Sequence, residues 1–210
     1  MKYRLLVKKV HFVEKKYLTA EEIKDICKKI GIKYNYGINY LIRTKHLVRI
    51  LKGFFYVRNL KERSEGATEV NFFEALANVL KYKGVARWYF GLDTAIKLNN
   101  LTHEYFPIDY VISDRLFRAK PISILGHKVK FIKLKKKLFG FGVKSEGFVN
   151  YSDVEKTILD IIHIRKHAGA GDITIKNEVI DVIGHSDKKK IMKHAENYSI
   201  SVRNFLRMIL

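Results

Sequence analysis

The sequence predicts an α+β protein of two domains, and three observations lead to this expectation. Helical and strand-type apolar spacings are interleaved irregularly along the chain, without a repeated βαβ unit. The 210 residues are enough for two small domains. Positive charge is concentrated in the first third: residues 1–66 hold 17 Lys and Arg against 6 Asp and Glu, whereas the other 144 hold 24 against 15. We therefore expect domains over 1–62 and 70–210, with the polar stretch 58–70 as the linker.

The composition favours a folded chain with a polyanionic partner. With 47% hydrophobic residues the chain can bury a core, which excludes disorder, and its net charge is +20. A field of that strength favours nucleic acid as the partner. The alternative is a lysine-rich surface that serves solubility or heat resistance, because glutamine is absent and Lys, Ile and Glu are common, as in thermophile proteins.

Compartment and membrane association follow from simple counts. The single cysteine, Cys27, excludes a disulfide within the chain and is expected to be a buried small apolar residue. No apolar run approaches 18 residues, and charges are scattered through MKYRLLVKKVHFVEKK, unlike a signal peptide. We expect a cytoplasmic protein without a membrane partner.

Two helices are predicted first. Helical spacing of apolar residues predicts helix 1 from Tyr3, Leu6, Val7, Val10 and Val13. Thr19 is a good N-cap for helix 2, over about 20–30, with two glutamates in its first turn. Gly31 follows where helices usually stop.

A third helix and a hairpin come next. Asn35 can cap a helix that runs to about His46, with Ile38, Leu41 and Ile42 on its apolar side. The runs LVRIL and FFYVR then predict two strands joined at Lys52-Gly53.

Three helices followed by a β-hairpin is the order of a winged helix-turn-helix, which places helix 3 in the major groove and the hairpin along the backbone. Asn39 could read adenine, Arg43 could read guanine or hold phosphate, and the hairpin cations suit phosphate. The predicted DNA-binding residues are Lys33, Asn35, Tyr36, Asn39, Tyr40, Arg43, Lys45, Arg49 and Lys52. The alternative is a winged helix that serves only protein contacts.

The second domain is predicted to mix strands and helices and to end in helices. Asn71 caps a helix that Gly84 ends. Strands are expected at VARWYF, IDYVIS, PISIL, HKVKFIKL and LFGFGV. Asp93 is expected to cap a short helix, TAIKLNN, and Ser152 a longer one, and the tail predicts helices near 174–184, 187–197 and 200–209.

No catalytic group or cofactor is predicted. Glu155 and Asp160, five apart on a helix, point about 140° from one another, so they are expected to be caps or surface charges rather than a two-carboxylate site. His163 and His167 could face one metal ion, but no acidic or cysteine ligand accompanies them, and histidines suit a helix C-terminus. The loop GFGVKSEG lacks the spacing of a phosphate-binding P-loop.

The stretch YLT…EEIKDICKKIGI…GINYLIRTKHLVRILKGFFYV resembles the N-terminal winged helix of AbiEi-type antitoxins, with His46 where the family often has glycine. ARWYFGLDTAIKLNNLT is similar to a later family segment, although Asn100 replaces its glycine. VNYSDVEKTILDIIHIRKHAG is also similar, with Glu155, Thr157 and Asp160 at matching positions.

The resemblance implies a non-enzymatic transcription regulator of a type IV toxin–antitoxin pair, an abortive-infection system. Such a protein binds operator DNA, for which we expect inverted repeats, represses its own operon and opposes a nucleotidyltransferase-like toxin, without the need for direct contact. Two alternatives stay open: a nucleic-acid-processing enzyme whose winged helix delivers substrate, and a coating protein without sequence preference.

A candidate second basic surface lies in HKVKFIKLKKK. Period-two alternation places its first two lysines on one strand face, and four more extend the charge. The surface comprises Lys128, Lys130, Lys133, Lys135, Lys136 and Lys137. It could face nucleic acid or the toxin, or it could be a sheet edge protected by lysines.

Overall fold

The computed structural model describes residues 1–66 and 68–210. Its backbone contacts divide the chain into two compact units, Met1–Gly84 and Val85–Leu210. Helices and strands mix in both, so the fold class is α+β. Among the described residues, no helix combines the length and the apolar character that crossing a bilayer requires.

The first unit contains five helices and three strands among its described residues. They are α1 (Lys2–Phe12), β1 (Tyr17–Thr19), α2 (Ala20–Ile30), α3 (Tyr34–Arg43), β2 (Leu47–Leu51), β3 (Phe54–Val57), α4 (Leu60–Glu65) and α5 (Phe72–Tyr82). The strands form an antiparallel sheet in the order β1-β3-β2. Helices 1 and 2 and the hairpin predicted from the sequence are present, and β1 and α4 were not predicted.

The ends of α2 follow from local chemistry. The Thr19 hydroxyl accepts a hydrogen bond from the amide of Glu22, and the Glu22 carboxylate accepts one from the amide of Thr19. This capping box satisfies two amides that the helix leaves unpaired. Gly31 takes the left-handed conformation at the other end. Cys27 is buried, as expected, and burial raises the pKa of its thiol.

The boundary between the units differs from the predicted linker, of which residue 67 lies outside the described residues. Part of that stretch folds as α4, whose cap Asn59 accepts a hydrogen bond from the amide of Glu62. Glu62 is fully buried and accepts a hydrogen bond from the Tyr56 hydroxyl at 2.8 Å. Helix α5 also belongs to the first unit, where Tyr82 stacks on Phe54. The polar composition of residues 58–70 gave no indication of these contacts.

The second unit is built on a six-stranded mixed sheet. Its strands are β4 (Trp88–Phe90), β5 (Ile108–Ser113), β6 (Ile122–Ile124), β7 (His127–Lys133), β8 (Val143–Glu146) and β9 (Val149–Ser152), in the sheet order β6-β7-β5-β4-β9-β8. Its helices are α6 (Leu92–Leu98), α7 (Val154–His167), α8 (Asp172–Ile183), α9 (Lys188–Ala195) and α10 (Ile200–Ile209). Buried residues of the sheet and of the helices share one apolar core around α7.

Three predictions for this unit are wrong in detail. The run LFGFGV is not a strand: Lys136–Phe139 form a short 3₁₀ helix, and β8 begins only at Val143. The N-cap of α7 is Asp153 rather than Ser152, because the Asp153 carboxylate accepts from the amide of Lys156. Helix α6 begins after Gly91, so Asp93 lies inside its first turn.

Candidate nucleic-acid interface

Helix α3 is divided into a buried side and an exposed side. Gly37, Ile38 and Leu41 are buried against the first unit's core. The exposed side presents side chains at positions three, four and seven residues apart, which lie on one face of a helix. These residues are Tyr36, Asn39, Tyr40 and Arg43.

The helix begins and ends earlier than predicted. Its N-cap is Lys33, because the amides of Tyr36 and Gly37 both donate to the Lys33 carbonyl oxygen at 3.1 Å. Asn35 therefore lies inside the first turn and does not cap the helix. Its side chain, like that of Lys33, is exposed and free to contact a ligand.

Gly37 allows α3 to pack closely on α2. A Cβ atom at this position would lie 2.5 Å from Cys27 Sγ and 3.4 Å from Leu6 Cδ2. Cβ atoms do not approach other heavy atoms within 3.0 Å, so a larger residue at this position requires Cys27 or the helix backbone to shift. The position of α3 against α2 thus depends on glycine, which has no side chain, at residue 37.

The exposed face of α3 forms one wall of a cavity of about 370 Å³. Four of its five lining residues are predicted DNA-binding residues, and the fifth, Tyr3, comes from α1. The ring centroids of Tyr3 and Tyr40 are 4.6 Å apart. Among the described residues, none accepts or donates a side-chain hydrogen bond to Asn39 or Arg43, so both polar groups remain available to a ligand.

Beyond α3, the chain leads to a buried histidine, His46, which contacts the half-buried His11 of α1. Thr44 is the C-cap, and Lys45 takes a left-handed φ of 61° with its side chain exposed. His46 is only 4% exposed, and its Nδ1 lies 2.9 Å from His11 Nε2. Burial, reinforced by the positive charge of Arg63 and by His11, lowers the pKa of His46 to about 4.

The hairpin is short, and its turn is held down. Gly53 has a φ of 85°, and its carbonyl oxygen accepts a hydrogen bond from the Ala20 amide at 2.8 Å. The carbonyl oxygen of Lys52 accepts one from Lys83 Nζ, also at 2.8 Å. Lys52 and Arg49 are both exposed. The Arg49 guanidinium lies 5.7 Å from the centre of the Phe55 ring.

The structure brings together only part of the predicted set. Tyr36, Asn39, Tyr40 and Arg43 line the cavity. The remaining residues are exposed but do not line it, namely Lys33, Asn35, Lys45, Arg49 and Lys52. Sequence reasoning missed Tyr3, although its charged neighbours on α1 gave a signal, and it missed Lys83 beside the hairpin turn.

The candidate second basic surface is not a sheet edge. Strand β7 pairs with β6 on one side and β5 on the other, so the edge interpretation is wrong. Val129 and Phe131 are buried, whereas Lys128 lies exposed on the opposite face. Lys130 is half-buried and donates to the carbonyl oxygen of Ala119. The other lysines of the surface are exposed: Lys133, Lys135, Lys136 and Lys137.

Glu155 and Asp160 are buried, contrary to the expectation of caps or surface charges. Asp160 is fully buried and accepts hydrogen bonds from the hydroxyls of Tyr89 and Tyr198, each at 2.7 Å. Glu155 is 5% exposed and accepts from the amide of Asp187 and from Lys190 Nζ. Burial raises the pKa of Asp160 despite these donors.

A buried lysine completes this network. Lys156 Nζ donates to the Leu138 carbonyl oxygen at 2.6 Å and lies 3.5 Å from the Asp160 carboxylate. Burial lowers its pKa, and the rings of Tyr89 and Phe141 lie within 5 Å of its ammonium group at 4.8 and 4.6 Å. Both charged groups are fully buried, so neither is exposed to solvent.

The two histidines of α7 lie side by side, with ring centroids 4.7 Å apart. Among the described residues, no third His, Cys, Asp or Glu joins them in a group that could hold a metal ion. Burial, with His167 and nearby lysines, lowers the pKa of His163 to about 4.

Comparison with known proteins adds a fold relationship. No family model matches the chain, and no curated protein matches it. Among solved structures, it is similar to the crystal structure of the RV2827C protein from Mycobacterium tuberculosis, with a TM-score of 0.62 and 12% identity over 100% of this chain and 76% of that one. At this identity the likeness establishes the fold alone.

Proposed function

We propose that this chain is a DNA-binding transcription regulator, and that its first unit acts as a winged helix-turn-helix. The observation that carries the proposal is the exposed face of α3. It places an amide, a guanidinium and two tyrosines on one helix, and the polar groups of Asn39 and Arg43 have no partner among the described residues. Asn reads adenine and Arg reads guanine by paired hydrogen bonds in the major groove.

Charge supports the same role. Residues 1–66 carry a net +11, which attracts the phosphate backbone at any sequence. Arg49 and Lys52 on the hairpin, with Lys45 after α3, are exposed cations suited to phosphate. In this proposal, the hairpin contacts the backbone close to the protein body, since its turn is held against α2 and Lys83.

The resemblance to AbiEi-type antitoxins supports a more specific proposal. The chain would be the antitoxin of a type IV pair that represses its own operon through inverted repeats and opposes a nucleotidyltransferase-like toxin. The second unit would carry the antitoxin activity, without a catalytic site or cofactor. A growth assay tests this part: the chain should rescue cells that express the nucleotidyltransferase-like protein from the neighbouring gene, and failure to rescue would contradict it.

Binding to DNA from upstream of its own gene tests the regulator proposal. We expect saturable binding that exceeds binding to scrambled DNA, with protection of an inverted repeat. If about six phosphates are neutralised, affinity should fall on the order of a thousandfold between 50 and 200 mM salt. Binding that is flat across this range excludes a phosphate interface, and equal affinity for scrambled DNA indicates a coating protein.

A further inference from the structure

The second unit contains a groove of about 430 Å³ between α9 and α10. Its lining combines two apolar residues with four cations and one carboxylate. These residues are Met192 and Ala195, Lys189, Lys193, Arg203 and Arg207, and Glu196. The sequence predictions assign no role to any of them.

Helical spacing explains why the cations converge. Lys189 and Lys193 are four residues apart on α9, and Arg203 and Arg207 are four apart on α10, so each pair lies on one helix face. The opposite face of α9 is buried through Ile191. Packing of α9 and α10 into the core therefore leaves two rows of positive charge facing one groove.

These four cations lack partners, unlike their neighbours. On the same helix, Lys190 Nζ lies 2.9 Å from Asp153 and 2.7 Å from Glu155. In the part of the chain that the structure describes, no side-chain hydrogen bond or ion pair engages Lys189 or Lys193, and the same holds for both arginines of the groove.

Arg203 gives the groove a second, independent feature. Its Nε is buried and has no hydrogen-bond acceptor among the described residues. Burying a donor without an acceptor is unfavourable, and more so when the group is charged. Arg203 also lines the groove, so a rotation of its side chain would let the guanidinium donate two parallel hydrogen bonds to an acceptor there.

We propose that this groove binds the phosphate group of a nucleotide-sized ligand. A net charge of about three positives favours a multiply charged anion over a single carboxylate, and two guanidinium forks match phosphate oxygens. The volume of about 430 Å³ suits one nucleotide, since small-molecule sites fall at about 300–1,000 Å³. Met192 supplies an apolar wall against which a base can pack. The phosphate can belong to a free mononucleotide or to one nucleotide of a strand.

The experiment is titration calorimetry on the full chain with two probes, ATP and a twelve-nucleotide single-stranded DNA. Lys193→Gln and Arg207→Gln change exposed side chains and should leave the fold intact. We expect each to weaken binding of at least one probe about fivefold or more, and Arg203→Gln to weaken it further. The matched control is Lys176→Gln, which removes an exposed lysine on α8 outside the groove and should leave the affinity unchanged.

The result identifies the source of the phosphate. Groove-dependent binding of ATP indicates a free nucleotide, and groove-dependent binding of the oligonucleotide alone indicates a strand. The proposal is overturned if Lys176→Gln costs as much as the groove variants, or if neither probe depends on the groove. It is also overturned if a hexaglutamate peptide, and neither phosphate probe, binds in a groove-dependent way. An Arg43→Ala variant shows whether the probes bind to the first unit instead, because in that case this substitution, and not the groove substitutions, lowers the affinity.

Discussion

Tyr3 of α1 and Tyr40 of α3 pack with their ring centroids 4.6 Å apart and their planes tilted by 38°. The contact makes the first helix part of the same cavity that Asn39 and Arg43 line. If α3 enters the major groove, α1 therefore reaches the DNA as well, and Tyr3 helps to hold the Tyr40 ring in place.

The first prediction concerns this contact. Tyr3→Ala removes an aromatic pair worth about 0.5–1.5 kcal/mol beyond its buried area. We expect the affinity for upstream DNA to fall about two- to tenfold in a gel-shift titration, with a folded far-UV spectrum. The matched control is Tyr105→Ala, which removes an exposed tyrosine of the second unit. Equal effects of the two variants would show that Tyr3 has no special place in the interface.

A second prediction tests the close approach of α3 to α2. Gly37→Ala places a methyl group 2.5 Å from Cys27 Sγ, so it should cost about 1–3 kcal/mol of unfolding free energy through overpacking. Cys27→Ala removes the sulfur. In the double variant the new methyl group fits, and alanine has the better helix propensity.

The measurement is a double-mutant cycle by urea unfolding, with DNA affinity as a second readout. We expect the double variant to be more stable than Gly37→Ala and to regain DNA binding. If the losses of unfolding free energy in the two single variants simply add in the double variant, Gly37 is not required to make room for the Cys27 sulfur.

The exposed face of α3 could be predicted from the sequence, because a helical apolar stripe fixes which side chains point outward. The hairpin could be predicted because Lys52-Gly53 divides two strand-like runs, and Gly53 supplies the positive φ. Tyr3 could not be assigned to the same cavity. It is some 37 positions from Tyr40, and only the tertiary packing of α1 against α3 brings them together.

Buried polar residues were the main source of error. Glu62 and Asp160 are both carboxylates, and sequence patterns place such residues at the surface. Each is buried because tyrosine hydroxyls donate to it, from Tyr56 in one case and from Tyr89 and Tyr198 in the other. Those partners lie on other elements, so local periodicity carries no trace of them.

The third prediction is a loss of stability in mild acid. The folded-state pKa of His46 is about 4, below its ordinary value of 6.5, so between these values the unfolded chain binds the proton and the folded chain does not. The contribution of His46 to the free energy of unfolding is fully present above about pH 6.5 and is lost as the pH drops towards 4. At pH 5 the loss from this group is on the order of 1–2 kcal/mol.

Thermal unfolding followed by circular dichroism checks this dependence. His46→Leu should flatten the fall in Tm between pH 7 and 5 without abolishing it, because His163 also has a pKa of about 4. His103→Leu, which replaces an exposed histidine, should keep the full dependence. If Tm falls equally steeply with pH in the His46→Leu variant, His46 is not the group whose titration causes the fall.

A fourth prediction concerns the buried pair in the second unit. Asp160→Asn removes the nearest counter-charge of the buried Lys156 ammonium group, which lies 3.5 Å from the altered side chain. Breaking such a pair costs about 3–5 kcal/mol. Lys156→Met should cost less, since Asp160 can take up a proton. Urea unfolding followed through Trp88, the sole tryptophan, reports on the second unit alone; a loss below about 1 kcal/mol for Asp160→Asn would contradict a structural role.

The last prediction distinguishes a protein that reads bases from one that coats DNA. Asn39 and Arg43 lie one helical turn apart on the exposed face of α3, and both line the same cavity. If α3 occupies the major groove, Asn39→Ala and Arg43→Ala should each cost about 1–3 kcal/mol on upstream DNA. On scrambled DNA the losses should be smaller, and smallest for Asn39, which carries no charge. By contrast, Lys52→Glu and Arg49→Glu should weaken binding to both DNAs alike, because phosphate contacts carry no sequence information. The measurement is a competition assay with the two DNAs. Equal losses on both for the α3 variants, or none, would mean that this helix does not read bases, and a coating role for the positive charge would then account better for the binding.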